Sequence, residues 1–410
     1  MLCGVDTLTS ARSIVIAGAG IGGLTAALAL ARHDFRVVVL EQTERLEETG
    51  AGIQLSPNAT RILDELGLGD ELKRCGVMPE GLRVLAGRSG REILRMPLGA
   101  PAAQRYGAPY WLIHRGDLQA ALAAAAAQKL SITIKLGMHA DDFVAHANGV
   151  TVSAHGRAGA LDERGTAFIA ADGLWSATRG RLGYGGPPRF VGRTAWRALV
   201  PAKVMAPQCR EPLVQLWLGR DAHLVHYPVR GGNLINVVAI MEDSWNAPGW
   251  SEPAARDELR RRFSPRHWAP QALAVINAPE AWLKWALYDR RPLLSWSQGP
   301  VALLGDAAHP MQPYLAQGAA MAIEDAAVAA QCLAQRPDDP AAALRTYSTT
   351  RRARAWKVQR LAARNGARYH LTGLPAVLRN AAMRALGGGW LLRHYDWLYD
   401  WRPPRASSLS

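Results

Sequence analysis

The sequence predicts an α/β protein: a Rossmann-like parallel sheet, an inserted antiparallel sheet, and a C-terminal helical region. Three observations carry this. A short apolar strand, Ser13–Ala17, runs straight into a glycine turn and then a helix. A second apolar run, Val301–Leu304, ends in Gly305-Asp306 before a Pro-rich loop and an Ala-rich helix. Between them, short strands with period-2 alternation and abundant Trp and Pro mark a sheet of another kind.

Taken in order, Met1–Arg12 reads as a loose lead-in, and the strand Ser13–Ala17 precedes Gly18-Ala19-Gly20-Ile21-Gly22-Gly23 and a helix from Leu24 to about His33. Gly18, Gly20 and Gly23 permit a tight turn, close backbone approach to a pyrophosphate, and helix–strand packing. Asp34 takes the left-handed position at the helix end. The strand Arg36–Leu40 then ends at Glu41, 18 residues past the last glycine, near the spacing at which a carboxylate meets an adenosine ribose. With the preceding strand and following helix both present, the pattern predicts dinucleotide binding. Gly50–Ala59 is a loop and strand leading to a helix begun by Ser56-Pro57. Its Gln54 either touches a bound ring or is a structural strand residue. Leu82–Met96 is a hairpin turning at Gly87–Gly90. Arg115, at a strand-to-helix junction, meets either a phosphate or a surface acid.

Ile132–Leu136, Asp142–Ala147 and Val150–His155 alternate like antiparallel strands. The strand Phe168–Ala171 ends in Asp172-Gly173, with Ser176 and Arg179 beyond; the motif alone is also an ordinary tight turn. Thr194–Val200, Leu213–Leu218, His223–Pro228 and Leu234–Met241 form an antiparallel sheet, with a hairpin turn at Gly231-Gly232. Ala254–Phe263 is a charged helix. At the 301–327 stretch, His309, Pro310 and Pro313 keep the loop extended, and Gly318 opens a helix whose free N–H groups face an anionic ligand atom. A long basic helix follows Pro340, then a Pro/Gly-broken tail with Trp390, Trp397 and Trp401. The expected division is a discontinuous nucleotide-binding domain (11–80, 104–182 and 286–337), a substrate domain (81–103 and 183–285) and the helical region 338–410.

The net charge of +14 is scattered, without a Lys/Arg block interleaved with aromatics, so a nucleic-acid partner is not expected. A positive field suits dinucleotides and aromatic carboxylates. Cys3, Cys75, Cys209 and Cys332 have neither metal-ligand nor disulfide-framework spacing, which points to a reducing, cytoplasmic compartment and no bound metal. No apolar run is long enough for a membrane span, and no signal peptide is read.

With these motifs in this order, the chain resembles the FAD-dependent aromatic hydroxylases of the para-hydroxybenzoate hydroxylase fold. These are single-component flavoprotein monooxygenases, and the salicylate, 3-hydroxybenzoate and 6-hydroxynicotinate hydroxylase branch looks nearest. Carrying the resemblance are Gly18–Gly23 with Glu41, Ala171-Asp172-Gly173 with Ser176 and Arg179, and Gly305–Pro310. GAGIQLSPNA, TAWRALVP, HLVHYPVRGG, YHL and DWLYDWR support it. The resemblance implies FAD as cofactor and NADH or NADPH as transient co-substrate. It places the pyrophosphate on Gly18, Gly20 and Gly23, and the ribose on Glu41 with Gln42 beside it. Further FAD contacts fall to Gln54, Arg115 and Asp172, the ribityl chain to Asp306, and the isoalloxazine to Gly318-Ala319. Where 6-hydroxynicotinate hydroxylases carry a histidine beside the flavin, this chain has Gln54.

In that chemistry a flavin hydroperoxide transfers an electrophilic oxygen, so the ring must be electron-rich and a phenol must lose its proton to a base working near neutrality. His223 and Tyr227, four apart on one strand, share a face, and His226 points the other way. His223 is the expected base and Tyr227 its hydrogen-bonding partner on the phenol; the alternative is a satisfied sheet histidine and a packed aromatic. Trp196, Gln215 and Trp217 are candidate pocket walls, with packing as the tryptophans' alternative role. Arg197 is placed for a substrate carboxylate, and Pro310–Leu315 for a wall over the flavin. The expected reaction is hydroxylation of a small phenolic or hydroxylated (hetero)aromatic acid by a monomer or homodimer. The other readings are hydroxylation of an electron-rich heterocycle such as urate, and a nicotinamide-dependent dehydrogenase or binding module without oxygen chemistry.

Overall fold

The computed structural model describes residues 12–46, 51–157, 159–247 and 252–404. Cys3, Gly50 and nearly all of the expected N-terminal lead-in lie outside them. Ser13–Ala17 sits inside a six-stranded sheet ordered Ser297–Gln298, Val301–Leu303, Ala167–Ala170, Ser13–Ala17, Arg36–Glu41, Ile132–Leu136. All its pairings are parallel except that of Ser297–Gln298 with Val301–Leu303. The central strands are apolar throughout because helices cover the sheet: Ile14, Val15, Ile16, Val39 and Ala302 are fully buried. Helices Ile21–Ala31 and Gly318–Gln335 pack on each other over this core.

Ile132–Leu136 corrects the sequence expectation. It pairs in parallel with Arg36–Glu41, while only His139–His146, Gly149–Gly156 and Gly159–Gly165 form the antiparallel sheet. Its alternation reflects an edge strand with one open face, which period-2 patterning cannot distinguish from an antiparallel strand.

The second large sheet has eight strands, ordered Glu252–Ala254, Trp282–Asp289, Arg189–Pro201, Leu234–Glu242, Ala222–Val229, Leu213–Leu218, Gly81–Ala86, Glu92–Pro97. Its strands pair antiparallel except Leu213–Leu218 with Gly81–Ala86. One face packs on helices Arg256–Arg262 and Pro270–Asn277 through Trp196, Trp217, Leu224, Leu259, Trp268 and Trp282. The other face looks toward the nucleotide-binding turns and the C-terminal helices.

Between two single 3-10 turns, Gly305–Ala307 and Pro313–Leu315, the stretch His309–Gln312 is irregular, with Gln312 extended. The Gly-rich tail is helical over Gly373–His394, broken only at Gly387. Helix Pro340–Tyr369 runs along the molecule and buries Arg351 completely. Cys75, Cys209 and Cys332 are buried free thiols, and burial pushes Cys75 and Cys332 up to about 11. No helix among the described residues is long and apolar enough to cross a membrane.

Candidate active site

Parallel strands deliver their carboxyl ends to one edge, and here that edge collects all three sequence motifs. Ala171 N–H donates to Ala17 O, and Leu304 N–H to Ala170 O, so the turns after these strands lie side by side. Gly18 adopts φ 97°, and a Cβ there would stand 2.5 Å from Ala171 O. At Gly23 a Cβ would stand 1.9 Å from Gly18 O, whereas at Gly20 it would meet nothing within 4 Å. Turn and helix are thus pressed together with one side left open, the cradle a pyrophosphate needs. Glu41 accepts from Ala19 N–H (2.7 Å) and from Thr43 N–H (2.9 Å), which fixes its carboxylate beside the turn. Gln42 is exposed next to it.

Arg179 joins the second motif to the third. Its guanidinium donates to Ala307 O (3.0 Å), Ala308 O (3.1 Å) and Arg291 O (2.9 Å). Asp172 accepts from Thr178 N–H through Oδ2, while Oδ1 is buried without a partner. Burial raises its pKa. Asp306 is open to solvent, yet so much protein rings it that desolvation raises its pKa against the opposing charges of His309 and Arg115. A side chain both accessible and desolvated lies at the floor of a deep recess. Helix Gly318–Gln335 starts at this recess: Ala316 takes φ 53°, and Gln317, which precedes the first turn, donates to Ser56 Oγ (2.8 Å). Gly318 and Ala319 stay partly open. The open glycine turn, the unpaired Asp172 oxygen, the recessed Asp306 and the helix start fit a bound FAD.

The front face of the eight-stranded sheet meets this recess. Register aligns three rows across it: His223–Ile240–Ala195, Val225–Val238–Arg197 and Tyr227–Asn236–Leu199. The middle row is only half-buried although it lies on central strands, so a chamber stands over it. At one end, His223 Nδ1 lies 2.8 Å from His370 Nε2, with the Tyr314 and Tyr369 rings each 5.4 Å away. At the other end, Tyr227 adjoins Gln54, which accepts from Tyr110 O–H (2.8 Å). Burial raises the Tyr227 pKa despite the Arg197 charge. Arg197 lies over the Trp285 ring at 5.0 Å, and its Nε has no partner. The Arg115 charge bears on both Arg197 and Asp306, so it lies near both. Pro310 is buried, and its carbonyl accepts from Gln359 (2.8 Å), which pins the loop to the long helix.

Three residues are corrected. Trp196, Gln215 and Trp217 are not walls of this chamber: alternation turns them to the far face. Trp196 and Trp217 belong to the core under the short helices, and Gln215 donates to Gln208 O (2.7 Å). Trp217→Phe is therefore expected to lower thermal stability and leave the KM for the aromatic substrate unchanged, as a melting curve and steady-state kinetics would show.

His370 was not singled out in the sequence. Its YHL string lies at a helix end, 147 residues from His223, and no periodicity aims it there. Tyr110 and Asn236 carry no such signal either, the latter accepting from Gly52 N–H (2.7 Å), and Tyr314 falls inside the Pro310–Leu315 wall without a role of its own.

On the far face His226 is fully buried, stacks on Trp217, and has no partner at either ring nitrogen. Burial pushes its pKa down to about 3. The unfolded chain, with an ordinary histidine, takes up the proton first, so stability is lost as pH falls through the interval from about 6.5 toward 3. At pH 5 His226 alone accounts for about 2 kcal/mol of that loss. His223 and His370 are depressed in the same sense. Urea midpoints at pH 7 and pH 5 check this; equal stability at both contradicts it.

A parallel sheet gathering three nucleotide-binding turns beside a chambered antiparallel sheet defines a flavoprotein of the monooxygenase class. A family model described as "FAD binding domain" matches residues 11–362. The chain is 38% identical over 391 residues to 3-hydroxybenzoate 6-hydroxylase 1 of Aquipseudomonas alcaligenes, covering 94% of this chain and 97% of that one. It is 36% identical to 6-hydroxynicotinate 3-monooxygenase of Bordetella bronchiseptica, covering 85% and 90%. Its fold superposes with a TM-score of 0.82 on Klebsiella pneumoniae HpxO complexed with FAD and uric acid, at 26% identity, covering 95% and 97%. The protein belongs to the FAD-dependent aromatic hydroxylases, monooxygenases that use NAD(P)H and O2.

Proposed function

We propose that the substrate is a small aromatic acid carrying a phenolic hydroxyl, held over Val225 and Val238 between His223 and the Arg197–Tyr227 end. The observation that carries this is the half-buried row Val225–Val238–Arg197, which ends in an arginine with an unpartnered nitrogen and has His223 in the row beside it. His223 removes the phenol proton, which makes the ring electron-rich. Four steps along the strand separate it from Tyr227, roughly 13 Å between Cα atoms. Tyr227 therefore serves the carboxylate end with Arg197 rather than the hydroxyl. The chamber's apolar lining, including Tyr314 and Leu315, keeps water from the reacting centre. FAD, when bound, supplies the chemistry of accepting a hydride from NAD(P)H and passing on oxygen from O2. Asp306, Arg115, Asp172, Glu41 with Gln42, and the Gly18–Gly23 and Gly318-Ala319 amides hold it. Segments 11–80, 104–182 and 286–337 form its domain in this reading, with 81–103 and 183–285 shaping the substrate chamber.

A substrate panel tests the reading. Hydroxybenzoates, 6-hydroxynicotinate and urate are incubated with the yellow holoenzyme, and NADH consumption, peroxide and hydroxylated product are measured. A hydroxybenzoate that couples NADH to product supports it. Coupling with urate alone would replace the carboxylate-binding assignment with a heterocycle.

A further inference from the structure

We propose that His139, Asp141 and His155, on the three-stranded sheet, form a surface site for a divalent transition-metal ion such as Zn2+ or Ni2+. Among the described residues this is the one group of three or more His, Cys, Asp or Glu side chains whose ligand atoms all lie within 4.8 Å of one another. The cysteine spacing gives no hint of it, because the ligands come from two strands and include no thiol.

Strand pairing makes the cluster. His139 and His155 are direct partners across the antiparallel strands His139–His146 and Gly149–Gly156, so their side chains share a face. The register slips between Ala140 and Asp142, which leaves Asp141 as the extra residue of a bulge, a device that re-aims a side chain. Asp141 reaches both imidazoles: Oδ1 lies 2.9 Å from His139 Nδ1, and Oδ2 meets His155 Nδ1. The two rings tilt at 47° with centroids 5.5 Å apart. The same nitrogen of both rings thus points at one carboxylate. The backbone under them is fixed. A Cβ at Gly156, next to His155, would stand 2.1 Å from Gly137 O, so glycine lets the strand close on the turn before His139. In that turn Gly137 N–H donates to Thr43 O (2.9 Å) and Met138 N–H to Glu41 O (2.8 Å), which anchors it to the parallel sheet. Ligands carried on anchored strands hold their geometry better than ligands on loops.

The donor set names the class of ion. Two imidazoles and a carboxylate suit Zn2+, Ni2+, Co2+ or Cu2+, whereas Mg2+ and Ca2+ take oxygen ligands. Ligands about 2.1 Å from one ion and at right angles stand about 3.0 Å apart, close to the His139–Asp141 separation. An ion therefore enters with little rearrangement. Each Nδ1 then gives its lone pair to the metal, and each ring carries its proton on Nε2. All three side chains are open to solvent, so the ion arrives from bulk and keeps water at its remaining positions. Once bound, it ties the two strands together beside the turn that meets Glu41.

The test uses tag-free holoenzyme, stripped of metal by a chelator and dialysed, then titrated with ZnCl2 by isothermal titration calorimetry. One ion per chain is expected to bind saturably, and an excess of Mg2+ should not displace it. His139→Ala and His155→Ala should each weaken binding by more than the roughly 10- to 100-fold that loss of a supporting residue costs, since each removes a ligand. By linkage, Zn2+ should raise the melting temperature of wild type and not that of His155→Ala. His155→Gln repeats both measurements should the Ala variant fold poorly. The site is overturned by an absence of saturable binding below about 1 mM Zn2+, the weak end of specific association. Binding that both variants leave unchanged, equal binding of Mg2+, or a wild-type melting temperature that ignores saturating Zn2+ overturns it as well.

Discussion

Replacing His223 by Ala is expected to lower kcat/KM for coupled hydroxylation by about 10²- to 10⁴-fold, the range a positioned general base supplies. The variant should stay yellow, because His223 lies across the chamber from the glycine turn and contacts His370, Tyr314 and Tyr369. The defect should be pH-dependent with a definite sign. Below the phenol's own pKa the substrate arrives protonated and the variant has nothing to take its proton. Above it the phenolate arrives ready-made, and the gap to wild type closes. Product yield per NADH, followed from neutral to alkaline pH, measures this. Substrate-dependent NADH oxidation and product formation at wild-type rates near neutrality would remove His223 from the chemistry. Tyr227→Phe should act differently, raising KM for the acid with less effect on kcat, since Tyr227 is placed with Arg197 at the other end.

The parts that could be read ahead are those where one local signal decides. The glycine turn, the acidic end of Arg36–Glu41, and the Asp172 and Asp306 turns each follow an apolar strand, and parallel pairing forces strand ends together. The place of Asp34 between helix and strand calls for a left-handed backbone, and it has φ 61°. The face shared by His223 and Tyr227 follows from alternation alone. Alternation also says which residues share a face, but not which face meets the cofactor, and so it does not reveal that Trp196, Gln215 and Trp217 lie on the far one. His370 was illegible because its meaning depends on how a helix end docks on another sheet. So was Arg351. Within the run Arg351-Arg352-Ala353-Arg354 a buried arginine looks like any exposed one, and only the acidic pair Glu324-Asp325 across the helix–helix contact gives it a place.

That buried pair carries the second large effect: Asp325→Ala is expected to cost about 3–5 kcal/mol, the loss typical when one partner of a buried ion pair is removed. Asp325 is fully buried and holds three groups at once. Its Oδ1 accepts from Arg351 Nε (2.7 Å), and its Oδ2 meets His309 Nε2 and accepts from Gly305 N–H (3.2 Å). Its neighbour Glu324 pairs with Arg351 (2.6 Å) and Arg354 (2.7 Å) and accepts from Asn58 (2.6 Å). Burial alone would raise the Asp325 pKa, but His309 and Arg351 outweigh it and hold the carboxyl below its usual range. Alanine leaves Arg351 charged in a fully buried site, short of one of its two carboxylates. It also frees the Gly305 amide, and with it the turn that aims Asp306 into the recess. The variant should therefore lose FAD as well as stability. Arg354→Gln serves as the milder comparison, because Arg354 reaches the surface in part and Arg351 still neutralises Glu324. Urea unfolding and the absorbance of FAD released on dilution measure the two effects. A midpoint within about 1 kcal/mol of wild type, the size of an ordinary substitution, would mean that the network does not hold the Asp306 turn.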